Sequence, residues 1–176
     1  MAFKTEYQLT ESFLLKVNQL LDSYIEYGLH TQSEVRAPGG IPDYVIYRSI
    51  GNSIHYLIAI EFKLKNWHRA LEQAFRYRNF ANEAYVILDK ETSNSAKENI
   101  VLFKKANVGL ITYDTSDSIE VLNFPIPSTP FSDEFSREVA SEIISTNIRT
   151  TDDLPFIRTA RGGYKLSRLR QLELLA

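Results

Sequence analysis

The stretch HYLIAIEFKLK, residues 55–65, constrains the fold more than any other part of the chain. In extended backbone, successive side chains point to opposite faces. The even positions Tyr56, Ile58, Ile60, Phe62 and Leu64 are all apolar, while the odd positions run His55, Leu57, Ala59, Glu61, Lys63, Lys65. One face is core throughout, and the other starts small and apolar before turning charged. A strand covered on both faces needs layers on either side of its sheet, as in α/β proteins. Core filling alone gives no reason for opposite charges at Glu61 and Lys63, two residues apart on one face.

The surrounding sequence supplies those layers. Apolar residues at helical spacing (Phe13, Leu14, Val17, Leu20, Leu21, Tyr24, Ile25) predict a helix over 9–29, with Thr10 as its cap, Glu11 in its first turn and Gly28 as its stop. A short strand is expected over 32–36, then an APGGIP loop over 37–42. Residues 43–50 and 53–65 read as a hairpin around Gly51-Asn52. Asn66 is placed to cap a helix reaching about residue 82. Strand 84–89, helix 95–106 and strands at VGLITYD and SIEVLNF follow. The expectation is a mixed sheet of four or five strands flanked by helices, antiparallel at the hairpin and parallel after it.

After Phe124 the texture changes to PIPSTP. A helix over 133–145 follows, with an apolar stripe of Phe135, Val139, Ile143 and Ile144 that must pack on something. We therefore expect a core over 1–124 and a C-terminal extension over 125–176, in the same domain or appended, serving DNA binding or dimerisation.

The composition excludes several classes of function. At 176 residues the chain suits one domain. No apolar run reaches membrane-spanning length, and MAFKTEYQLTESF has no secretory core, so no membrane association is expected. The absence of cysteine removes disulfides, thiolate metal sites and cysteine nucleophiles, and fits a cytoplasmic setting. With a net charge of -2, nucleic-acid binding would have to come from local patches.

If the hairpin turn is centred on Asn52, Asp43 falls opposite Glu61 on the same face, with Cβ atoms within about 5 Å. Two carboxylates that close repel unless a cation lies between them. A divalent ion with oxygen ligands resolves the conflict, and Lys63 beside it can position or deprotonate an attacking water. That arrangement suits phosphodiester hydrolysis. A strict two-residue loop would instead pair Asp43 with Ile60 and put the acids on opposite faces, so a three-residue loop or a bulge is expected.

Pro42-Asp43 and Glu61-Phe62-Lys63, joined across this hairpin, closely resemble the PD-(D/E)xK nuclease superfamily of restriction endonucleases, Holliday-junction resolvases and RecB-like exonucleases. The resemblance covers roughly residues 11–114. In the next helix, Gln73-Ala-Phe-Arg-Tyr77 is similar to the Gln-x-x-x-Tyr element of the RecB-like branch. The resemblance implies a restriction-endonuclease-like three-layer core and a catalytic set of Asp43, Glu61, Lys63 and Gln73. Asp43, Glu61 and the Phe62 backbone carbonyl would hold Mg²⁺, with Mn²⁺ as a substitute, and Gln73 would orient phosphate or water. Glu11 takes the place of a first-helix acid, with Glu26 and Glu34 as alternatives.

Lys65, Arg69, Arg76 and Tyr77, with His68 and Arg78, would form a nucleic-acid rim, joined by Arg161 and Lys165 within the basic run from Arg158 to Arg170. Basic residues on an exposed helix face also serve simply to keep it solvated. Trp67 fits either a base-stacking residue or a core plug. The three histidines lack metal-ligand spacing. The expected function is a metal-dependent endodeoxyribonuclease of repair, restriction or phage and mobile-element biology, with RNA left open and a homodimer as one option. The alternative is a catalytically silent DNA-binding or protein-interaction module on the same fold.

Overall fold

The structure, a computed structural model, describes residues 2–21, 28–51 and 53–151, with the backbone alone for Leu20, Leu21 and residues 147–151. Helix α1 (Glu6–Leu21) precedes β1 (Leu29–Ser33), β2 (Tyr44–Ile50) and β3 (Ser53–Lys63). Then come α2 (Trp67–Tyr77), β4 (Glu83–Asp89), α3 (Asn94–Glu98), α4 (Ile100–Ala106), β5 (Gly109–Tyr113), β6 (Ile119–Asn123) and α5 (Asp133–Thr151). The strands form one open mixed sheet in the order β1-β2-β3-β4-β5-β6. Its pairs are parallel at β3/β4 and β4/β5 and antiparallel elsewhere.

The sheet has six strands, where four or five were expected. The edge strand β1 lies three residues earlier than its sequence reading, because Glu34 takes a left-handed φ of 52° and ends it. At the other edge, β6 folds back on β5 because the Asp114 carboxylate accepts the N–H groups of Ser116 (2.9 Å) and Ser118 (3.1 Å), a side-chain-closed turn.

Both faces of the sheet are covered. On one, Leu9, Phe13 and Val17 of α1 pack on Tyr44, Ile46, Ile58, Ile60, Phe62 and Tyr85. On the other, Trp67, Ala70, Ala74 and Tyr77 of α2 and Phe103 of α4 pack on Val45, Leu57, Ala59 and Val86. Asn66 starts α2 by accepting the Arg69 N–H at 3.3 Å. The helix stops at Tyr77 rather than residue 82, where the Phe80 and Ala81 N–H groups both turn back to the Tyr77 carbonyl. The single helix expected over 95–106 is broken at Asn99. Its side-chain amide donates to the Ser95 carbonyl at 2.8 Å and competes with the helical ladder.

The segment after Phe124 packs onto the second face. Val139 and Ile143 of α5 are wholly buried in the same cluster as α2. The loop before α5 is tied to the end of α2 by Phe131 N–H to the Arg78 carbonyl (3.0 Å) and Ser132 N–H to the Asn79 carbonyl (2.9 Å). Among the described residues no helix is long and apolar enough to cross a membrane.

Candidate active site

The β2–β3 register places the acids. The turn is tight, with Ile50 opposite Ser53 and Ser49 opposite Ile54. A bulge then intervenes, so that Arg48 pairs with Tyr56 and His55 is the extra residue. From there the register runs to Tyr44 opposite Ile60, and one step further puts Asp43 opposite Glu61 on a shared face.

Each acid is fixed by a different donor. Asp43 Oδ2 accepts the Phe62 N–H at 2.7 Å, which ties the carboxylate across the hairpin. Glu61 is 1% exposed. Its Oε2 accepts the Tyr77 hydroxyl at 2.7 Å, and its Oε1 lies 3.3 Å from Lys63 Nζ. The same hydroxyl stands 3.1 Å from the Ile41 carbonyl. Gly40, at φ 151°, lets that loop lie on the tyrosine ring, since a Cβ there would meet Tyr77 Cε1 at 3.1 Å.

Lys63 Nζ is shared with Glu6 Oε2 at 3.2 Å. Gln73 lies against the Tyr77 hydroxyl, yet its Oε1 is buried without a hydrogen-bond partner.

The electrostatics follow from burial and crowding. Burial raises the Glu61 carboxyl above the ordinary range, with the Asp43 charge adding to it and Tyr77 and Lys63 opposing. Burial also raises Asp43, against the Phe62 N–H and the Lys63 charge. For Lys63 burial pulls downward, but Glu61, Glu6 and Asp43 together outweigh it and the ammonium is favoured. Tyr77 is driven upward by burial and by Glu61, so its hydroxyl stays a donor.

Several expected positions change. Glu11 is exposed, and the first-helix acid beside Lys63 is Glu6 instead. The helix begins at Glu6, three residues earlier than expected, because Thr5, not Thr10, caps it, accepting the Gln8 N–H on its hydroxyl at 3.1 Å. Thr5-Glu6-Tyr7-Gln8 is itself a capping-box pattern, the signal that could have revealed Glu6. Tyr77 cannot face nucleic acid, because it is wholly buried and holds Glu61. Arg78 is drawn inward to the Ala106 carbonyl (2.9 Å) and over the Phe131 ring (4.3 Å).

Trp67 is 6% exposed and plugs the core beside Phe103. Lys65, His68, Arg69 and Arg76 are exposed. Glu34 is exposed next to Asp43, its N–H on the Asp43 carbonyl at 3.2 Å. Glu26 and the basic residues Arg158, Arg161, Lys165, Arg168 and Arg170 lie outside the described residues.

Asp43 and Glu61 offer hard oxygen donors, and the orphaned Gln73 Oε1, on a side chain that lies against the Tyr77 hydroxyl, is a further acceptor, so the donor chemistry fits a divalent cation. Among the described residues no three histidine or acidic side chains converge as a ligand cluster. A Mg²⁺ ion held by one or two carboxylates, with water and substrate completing its shell, does not require one.

No family model, curated protein or solved structure matches this chain.

Proposed function

We propose that this protein is a metal-dependent nuclease of the PD-(D/E)xK type, with a restriction-endonuclease-like core, that hydrolyses phosphodiester bonds in DNA. The observation that carries the reading is the bulged hairpin, which sets Asp43 and Glu61 on one face beside Lys63. A structure needing only a tight turn has no use for the bulge, and a scaffold gains nothing from crowding a second carboxylate against the buried Glu61.

In this reading Asp43 and Glu61 hold Mg²⁺ or Mn²⁺, joined by the Phe62 carbonyl. When bound, the cation supplies Lewis acidity toward the phosphoryl group and acidifies water. Tyr77 fixes the Glu61 carboxylate, and the Phe62 N–H fixes that of Asp43. Lys63 stands beside Glu61 as a hydrogen-bond donor. It orients the attacking water, whose proton passes to solvent, and offsets charge on the phosphate as the bond to the leaving oxygen breaks and that oxygen takes up a proton from solvent. Gln73 Oε1, which has no partner of its own, would accept a hydrogen bond from that water. Lys65, Arg69 and Arg76 offset the acids' repulsion of the DNA backbone.

The test is incubation of supercoiled plasmid with the protein, with Mg²⁺, Mn²⁺ or chelator, beside Asp43→Asn. Nicking that needs metal and vanishes in the variant is expected. Intact plasmid in every metal condition would leave the silent DNA-binding or protein-interaction module as the function of this fold.

A further inference from the structure

The N-terminal segment is strapped to the end of the sheet. The Phe3 N–H donates to Asp89 Oδ2 at 2.9 Å, and the Phe3 ring stacks on Tyr113 with centroids 5.6 Å apart. Asp89 closes β4 and is 0% exposed. Its other oxygen, Oδ1, accepts the Glu91 N–H at 3.0 Å. β4 is the parallel neighbour of β3, with Leu88 beside Lys63, so Asp89 lies one residue past the lysine's row. Only Lys4 and Thr5 separate Phe3 from Glu6, whose carboxylate stands 3.2 Å from Lys63 Nζ. Three residue steps span at most about 10 Å, so Phe3 and the first turn of α1 are held within that reach of each other.

Capping the turn after β4 needs one acceptor, which asparagine or serine would supply. A carboxylate buried there without a cation is costly unless both oxygens are used. The second oxygen is used on Phe3. We infer that Asp89 is a positioning residue of the candidate site: it anchors Phe3, seats the first turn of α1, and through Glu6 sets where the Lys63 ammonium stands. Glu6 is half-exposed and its ion pair alone adds little stability, so its effect falls on lysine placement rather than on folding.

The inference rests on the nuclease reading for its turnover measurement only. Asp89→Asn retains one acceptor where aspartate has two, so it cannot satisfy both Phe3 and Glu91. Wild type, Asp89→Asn, Glu6→Gln and the double variant are compared in two ways. The first is kcat and KM for Mg²⁺-dependent plasmid nicking. The second, without metal or DNA, is the rate at which an amine-acetylating reagent modifies Lys63 relative to exposed Lys65, read by mass spectrometry.

Each single variant is expected to lower kcat about 10-fold with KM unchanged, and to speed Lys63 acetylation several-fold. The double variant should be no worse than Glu6→Gln, because both changes act through one carboxylate. Phe3→Pro, which removes the N–H while leaving Asp89 intact, must reproduce Asp89→Asn, and covers the case in which that variant does not fold. Unchanged Lys63 acetylation in Asp89→Asn and Phe3→Pro, or losses that multiply in the double variant, would overturn the inference. A changed acetylation pattern without any wild-type cleavage would uphold the strap and sink the nuclease reading.

Discussion

Glu61 and Glu83 are both buried glutamates on neighbouring strands, and both accept a tyrosine hydroxyl, yet they are built for different ends. Glu83, 5% exposed, accepts from Tyr56 at 2.5 Å and from Tyr85 at 2.7 Å. Each of its oxygens thus has a neutral donor from its own or the adjacent strand. Glu61, 1% exposed, has a tyrosine on one oxygen only. Its other oxygen faces an ammonium that a second acid shares, with Asp43 in register and an unpartnered amide oxygen close by. Burial of an acid is therefore not the mark of a site. The mark is the mixture of partners: fixed neutral donors close a carboxylate off, whereas a shared cation and a like charge leave it poised.

The sharpest way to break this comparison is the same substitution at both positions. Glu61→Gln is expected to reduce cleavage on the order of 10³-fold without lowering the melting temperature at pH 7. Glu83→Gln should leave turnover near wild type while costing about 1–3 kcal/mol, because an amide nitrogen replaces an acceptor in a buried niche. Cleavage assays and thermal melts on the pair read both effects, and reversed roles would end the distinction. Calorimetry adds a check on Glu61 alone, since Mg²⁺ affinity equal to wild type in Glu61→Gln would refute its assignment as a ligand.

The tyrosines sharpen it at smaller amplitude. Tyr77→Phe removes the donor that fixes Glu61 and should lower kcat about 10- to 100-fold, the range seen when a residue orienting a metal ligand is lost. Tyr85→Phe removes a donor from Glu83 and should cost stability, about 1–3 kcal/mol, with turnover retained. A Tyr77→Phe protein with wild-type kcat would mean that the Tyr77–Glu61 bond serves the core and not the site.

How much of this was legible depended on whether a local signal carried it. The alternation through β3 showed which residues share a face, and Gly51-Asn52 showed that β2 and β3 form a hairpin. Their combination required an irregularity, which the structure places at His55. Glu6 was missed because the apolar repeat starts at Leu9 and drew the helix start to Thr10, whereas the capping atoms at Thr5 and Gln8 set the true boundary. Tyr77's inward role was hidden because a helix position gives no face until its packing partner is known; Ala70 and Ala74 against β3 decide it. Asn99 broke a helix through its own side chain, where the apolar pattern alone ran on. Asp89 carries no motif, since the bond to Phe3 spans 86 positions.

The smallest effect lies in the pH dependence of stability. Burial raises the folded-state pKa of Glu61 above its ordinary value of 4.5. Between that value and the raised one, the native protein binds more protons than the unfolded chain, so stability falls as pH rises through the window. Below 4.5 both states are protonated and the penalty is absent; above the window it is present in full. Glu61→Gln carries no such titration. Its melting temperature relative to wild type should be near zero difference at pH 4 and should climb by pH 7, each 1 kcal/mol showing as about 2–4 °C in a chain of this size. Lys63 does not blur the slope. Its folded pKa is raised from 10.5, so its contribution is constant over pH 4–7 and is lost only on passing above that value. Asp43 is raised as well, and as a neighbour of Glu61 it titrates jointly with it. Asp43→Asn should therefore give a difference of the same sign. A difference that shrank toward neutral pH in both variants would mean that the acids are stabilised as anions, and that the crowding on which the site depends is relieved by the protein alone.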